Sequence, residues 1–147
     1  MRRLCSSVLC WSGVVALAIT GIAAQSRPAP PARSMPAGNV EHGRYISEHV
    51  AMCVECHSGR DGMGNIIDSQ RYLGSELPLA PPAWGRNWAT RAPRNKCLAG
   101  YDDAQAMRLL TEGSIGRQGV PLRPPMPRFR MTPQDAADVI AFLRSAP

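Results

Sequence analysis

A chain of 147 residues that opens on an apolar stretch leaves room for one small domain and excludes a second. Only 5% of the residues are aromatic while Gly and Pro number 13 and 14, so bulky side chains are too few for a self-sufficient core and a bound apolar group is expected to fill the interior. The net charge of +6, which becomes +4 without Arg2 and Arg3 of the opening stretch, is too small to argue for nucleic acid as a partner, and because Lys96 is the only lysine, any basic face has to be built from arginine.

In chain order, the basic start Arg2-Arg3, the apolar run Val8–Ala24 and the small pair Ala23-Ala24 read as a signal peptide over residues 1–24. The same run is near the lower limit of a bilayer span, so an uncleaved anchor that tethers the protein to a membrane is the alternative. Residues 25–38 are Pro, Ala, Arg and Ser without an apolar face, the composition of an extended linker, and the folded domain is expected over residues 39–147. Asn39 is suited to cap a helix over Val40–Met52, with Val40, Tyr45, Ile46, His49, Val50 and Cys53 at three- to four-residue intervals. Residues 58–100 are broken by Gly and Pro throughout and predict a long loop, which in a compact domain points to wrapping a cofactor. Tyr101-Asp102-Asp103-Ala104 opens a second helix that Gly113 ends. The last helix starts at the Thr132 cap with Pro133 in its first position, and Ala136, Val139, Ile140 and Leu143 form its apolar stripe. No alternating strand pattern is present, so the expected fold class is all-α, with three to five helices and long loops.

The chemistry concentrates in Cys53-Val54-Glu55-Cys56-His57. Two thiols three residues apart lie on one edge of a tight helical turn, where each can add to one vinyl group of a haem, and the adjacent imidazole reaches the iron. Half a zinc site is a weaker reading, because only Cys97, His42 and His49 remain to complete it and none is at finger spacing. A dithiol redox pair lacks the strand-helix-strand setting that such pairs use. One covalent haem c is therefore the expected cofactor, with His57 on one side of the metal.

For the opposite side, Met126 in Pro124-Pro125-Met126-Pro127 is the leading candidate, since prolines on both sides hold the backbone extended and present the thioether. A thioether favours ferrous iron and raises the reduction potential. Met131, beside the Thr132 cap, is the main competitor and reads otherwise as a helix staple. His42 and His49 read as surface or packing residues. Cys97 is expected to be a buried free thiol, and Trp84 and Trp88 are either donors to a haem propionate or loop packing.

These segments carry a family resemblance. Gly43-Arg44-Tyr45 ahead of His49–His57, the run Leu122–Met131 around Met126, and the closing Ala141-Phe142-Leu143-Arg144 are similar to a class I cytochrome c. Within that class they resemble the haem domains in cytochrome subunits of bacterial alcohol and aldehyde dehydrogenases. The resemblance implies a few helices around haem with the first and last crossing, His57 and Met126 as axial ligands, and single-electron transfer without catalysis. The leading expectation is a periplasmic carrier whose partners are redox proteins, a dehydrogenase as donor and a cytochrome or oxidase as acceptor, although the resemblance itself does not transfer a partner. An electron-accepting subunit of a quinone-, molybdenum- or flavin-dependent dehydrogenase is a second expectation, and a haem sensor or peroxidase with an open sixth site a third.

Overall fold

The computed structural model describes residues 34–146, so the expected leader and most of the expected linker lie outside the described residues. Helix α1 (Val40–Tyr45) starts where Asn39 accepts a hydrogen bond from the His42 N–H and leads into a π turn over Ile46–Val50. A second short helix, α2 (Cys53–His57), follows, and a two-residue ribbon pairs β1 (Ser75–Glu76) with β2 (Arg91–Ala92) in antiparallel register, Ser75 opposite Ala92. Helices α3 (Asp103–Thr111) and α4 (Pro133–Ser145) complete the frame. The molecule is mostly helical, and the ribbon is where the expectation of an all-α chain without strands fails. Two residues are too short a run to show alternation.

Helix α4 is the centre of the core. Ala136, Val139, Ile140, Phe142 and Leu143 are buried, and fully burying each of the larger ones contributes roughly 1.5–3 kcal/mol. Its start is built as its residues dictate: Thr132 accepts from the Asp135 N–H and Pro133 occupies the first turn. Helix α3 closes a capping box, Asp102 accepting from the Gln105 N–H and Gln105 accepting from the Asp102 N–H. Gly113 adopts φ +91° just beyond its end.

Helix α1 packs across α4 at Gly43, where any Cβ would run into the Asp138 carbonyl and meet the Phe142 Cβ at 3.0 Å. His42 and the Asn39 N–H both donate to the buried Asp138 carboxylate, at 2.7 Å each, so the crossing is closed by a polar clasp beside the apolar contact. The apolar face expected for this helix is corrected. The Ala51 N–H donates to the Ile46 carbonyl at 2.7 Å, and the extra residue in that wide turn shifts the repeat, leaving Ile46 and Ser47 buried while Tyr45 (55%) and Val50 (60%) are exposed. Met35, expected in the linker, is half-buried against the core.

Candidate haem-attachment site

The attachment turn is set apart from α1 by Met52, whose left-handed backbone (φ 54°, ψ 33°) stops the preceding turn and restarts the chain as α2. A non-Gly residue there costs roughly 1–2 kcal/mol, which the surrounding structure has to hold. Five residues give one helical turn, so Cys53 and Cys56 fall on one side and His57 follows directly. Both thiols are free. Burial pushes the Cys53 thiol up to about 11, and burial together with the nearby Glu55 charge raises Cys56, so both are held as neutral thiols at neutral pH.

The ribbon holds this turn from two directions. The Gly74 N–H donates to the His57 carbonyl at 2.8 Å and the Ser75 hydroxyl to the Cys56 carbonyl at 2.8 Å, satisfying two acceptors that a helix end leaves open. On the other strand, Pro93 follows Ala92 directly, and its carbonyl lies 2.7 Å from His57 Nδ1. A carbonyl only accepts, so Nδ1 carries the proton and donates, and Nε2 keeps its lone pair. His57 is 7% exposed, and that burial lowers its pKa against the opposing effect of the Pro93 contact. The ring is thus neutral, fixed in one tautomer and turned by a backbone acceptor, the state an imidazole needs to bind a metal.

The donor set fits haem c: two neutral thiols at the spacing of two vinyl groups, with a basic imidazole nitrogen beside them. It does not fit a single-ion cage. Among the described residues, His, Cys, Asp and Glu ligand atoms converge only at His42, Asp135 and Asp138, away from the thiols, and both Asp138 oxygens there are already hydrogen-bonded.

Met126 is half-buried and lies outside the apolar cluster against which Met35, Met107 and Met131 pack. Its N–H closes a turn onto the Arg123 carbonyl at 3.3 Å, which corrects the extended backbone expected between the prolines. Two consecutive prolines have no N–H, so Met126 is the first donor available to close that turn. Met131, the competing candidate, packs on the core, and its N–H donates to the Leu110 carbonyl at 3.0 Å. Cys97 is exposed rather than buried. It sits in a 3-10 turn with φ 59°, and that turn buries Leu98 in its place. Trp88 donates from Nε1 to the Leu79 carbonyl at 3.3 Å, a loop-packing role, while Trp84 is 78% exposed. His49 is exposed, and His42 serves the clasp on Asp138. The ribbon and the Pro93 acceptor carry no sequence signal, because the first is two residues long and the second acts through its backbone.

A mostly helical frame whose exposed loops surround a Cys-x-x-Cys-His turn defines a class of haem-binding electron-transfer proteins. Residues 40–147 match the family model for cytochrome c, and the chain belongs to that family. Membership carries haem c as cofactor and electron transfer rather than catalysis as the activity. A comparison with curated proteins gives no match. Among the described residues, no helix is long and apolar enough to cross a membrane.

Proposed function

We propose that the protein is a single-haem electron carrier on the periplasmic side of a bacterial membrane, passing single electrons from a dehydrogenase to a cytochrome or oxidase. The observation that carries this reading is the buried, neutral His57 ring whose tautomer the Pro93 carbonyl sets. Cys53 and Cys56 would hold a haem by thioether links, each S–H adding across a vinyl double bond so that sulfur gains one carbon and the neighbouring carbon the hydrogen, with no change in electron count. His57 Nε2 and the Met126 sulfur would hold its iron. Bound haem supplies an iron that alternates between ferrous and ferric. The protein's own part is to anchor, to orient the imidazole and to exclude water from one side of the metal. Residues 1–24 direct export in this reading, with or without remaining as a tether.

Two measurements test it. Protein matured with its haem-attachment machinery keeps its colour through acidified acetone, and its intact mass reports one added haem and any cleavage together. Release of the pigment overturns the thioether assignment. Ferric protein shows the weak near-infrared sulfur-to-iron band, which Met126→Ala removes while the haem stays attached; a band that survives moves the ligand to Met131.

A further inference from the structure

One contact of the site has to be held across a long stretch of chain. His57 Nδ1 meets the Pro93 carbonyl over a separation of 36 residues, and the chain between them is irregular apart from short turns and the two-residue strands. Closing a loop of that length costs entropy, and the cost falls on the contact unless a residue between its ends is anchored. Tyr72 lies between those ends and is bonded to both sides. Its N–H donates to the buried Ser58 hydroxyl, next to His57, at 3.2 Å, and its carbonyl accepts from the Asn95 N–H at 3.1 Å and the Lys96 N–H at 3.0 Å, just beyond Pro93.

The position is strained, and the side chain is what keeps it. Tyr72 has a left-handed backbone, φ 60°, which a residue with a Cβ adopts only at a cost. The conformation persists because the ring is fixed: Tyr72 is 3% exposed, and its ring meets that of Phe142 on α4 edge-on, with 5.6 Å between centroids and 79° between planes. Its hydroxyl has no hydrogen-bond partner among the described residues, so the ring rather than the hydroxyl is the anchor. Two residues on, Gly74 completes the grip. Its N–H donates to the His57 carbonyl, and a Cβ there would lie 2.8 Å from both the Ala92 carbonyl oxygen and the Arg94 nitrogen, so the two stretches of backbone lie directly against each other.

From this geometry we propose that Tyr72 is a positioning residue for the candidate haem ligand: its ring, docked on α4, latches the loop so that the Pro93 carbonyl stays on His57 Nδ1. Without the ring the strained backbone gains by relaxing, which frees Ser58 on one side and residues 95–96 on the other, and the Pro93 acceptor leaves the imidazole with them. The latch governs how often the contact opens, not the basicity of the imidazole while it is closed. The inference rests on the reading of His57 as a ligand of haem iron. An imidazole that has lost its acceptor exchanges its Nδ1 proton with water, so each opening is legible at a single atom.

The test uses the haem-loaded protein. Saturation transfer from water in NMR gives the exchange rate of the His57 Nδ1 proton, and urea melts of the same samples give global stability. Tyr72→Leu, which keeps apolar volume but not the ring edge, raises the exchange rate on the order of tenfold. Ser58→Ala, which removes one of the two ties, raises it about threefold. Tyr72→Phe exchanges like the parent. Leu110→Ala, at a buried position of α3, lowers global stability at least as much as Tyr72→Leu and changes the rate less than about twofold. Rates that track urea stability across all four variants overturn the latch, since Tyr72 would then act only as core. A Tyr72→Phe rate as fast as that of Tyr72→Leu overturns it as well, by moving the role from the ring to the hydroxyl. A Nδ1 resonance at the same shift in ferrous and ferric protein overturns the ligand reading beneath the proposal, while the exchange rates still decide the latch.

Discussion

The crossing of α1 and α4 and the pair of loops at 77–101 and 113–131 solve opposite problems. At the crossing, Gly43 removes a side chain so that two backbones touch, and the buried Asp138 carboxylate is paired, accepting from Asn39, His42 and Gln134. In the loops, Leu98 and Met131 reach the core while Leu79, Trp84 and Val120 stand in solvent. The first region is held by close packing and a paired buried carboxylate, and the second alternates residues anchored on the core or the attachment turn with apolar and cationic side chains left in solvent.

Gly43→Ala is the largest expected break in this contrast. Its methyl group has to displace α4 backbone, so a loss of about 3 kcal/mol or outright unfolding is expected in urea melts of the haem-loaded protein. Asp138→Ala comes next, at about 2 kcal/mol, because it strands the donors that faced the carboxylate. The same residue makes a pH prediction. Burial acts to raise the Asp138 carboxyl, but donation from Asn39, His42 and Gln134 outweighs it and holds the pKa below the ordinary carboxylate range. The contribution is therefore complete above about pH 4 and is lost as pH falls through the lower native value. Acid titration of stability monitored by circular dichroism checks this: Asp138→Asn flattens that limb, and an acid limb as steep as the parent's would place the effect elsewhere. Gly119→Ala, in open space at φ +75°, costs roughly 1 kcal/mol from backbone strain alone, which separates strain from the collision at Gly43. Trp84→Ala is the smallest, within about 0.5 kcal/mol in the same melts, and a larger loss would show that the loop is part of the core after all.

Local signals in the sequence foretell what local chemistry decides. Thr132-Pro133 marks the start of α4, Tyr101-Asp102-Asp103-Ala104 marks that of α3, and the spacing of Cys53, Cys56 and His57 points to its ligand without any tertiary information. Long-range geometry stays hidden. Asp138 carries no local sign of its burial, which arises only when α1 is laid across α4, and Tyr45 and Val50 read as core until one wide turn shifts the repeat. Pro93 matters through its carbonyl, which every residue type has, so no substitution pattern would reveal it. The turn at Met126 and the exposure of Cys97 were missed for a related reason. Both follow from which neighbouring N–H or side chain wins a place, Met126 over two donorless prolines and Leu98 over Cys97.

The contact between His57 and Pro93 also limits how this protein can be tuned. An imidazole oriented by a carboxylate side chain can be adjusted by exchanging one amino acid, while one oriented by a peptide oxygen responds only when the main chain itself moves. The two paired residues of β1 and β2 fix that main chain, so their hydrogen-bond register, rather than the identity of any side chain near the ring, sets the basicity of the nitrogen offered to the metal. Altering ligand strength here calls for lengthening or shortening a loop by a residue, a change that point substitution does not reach.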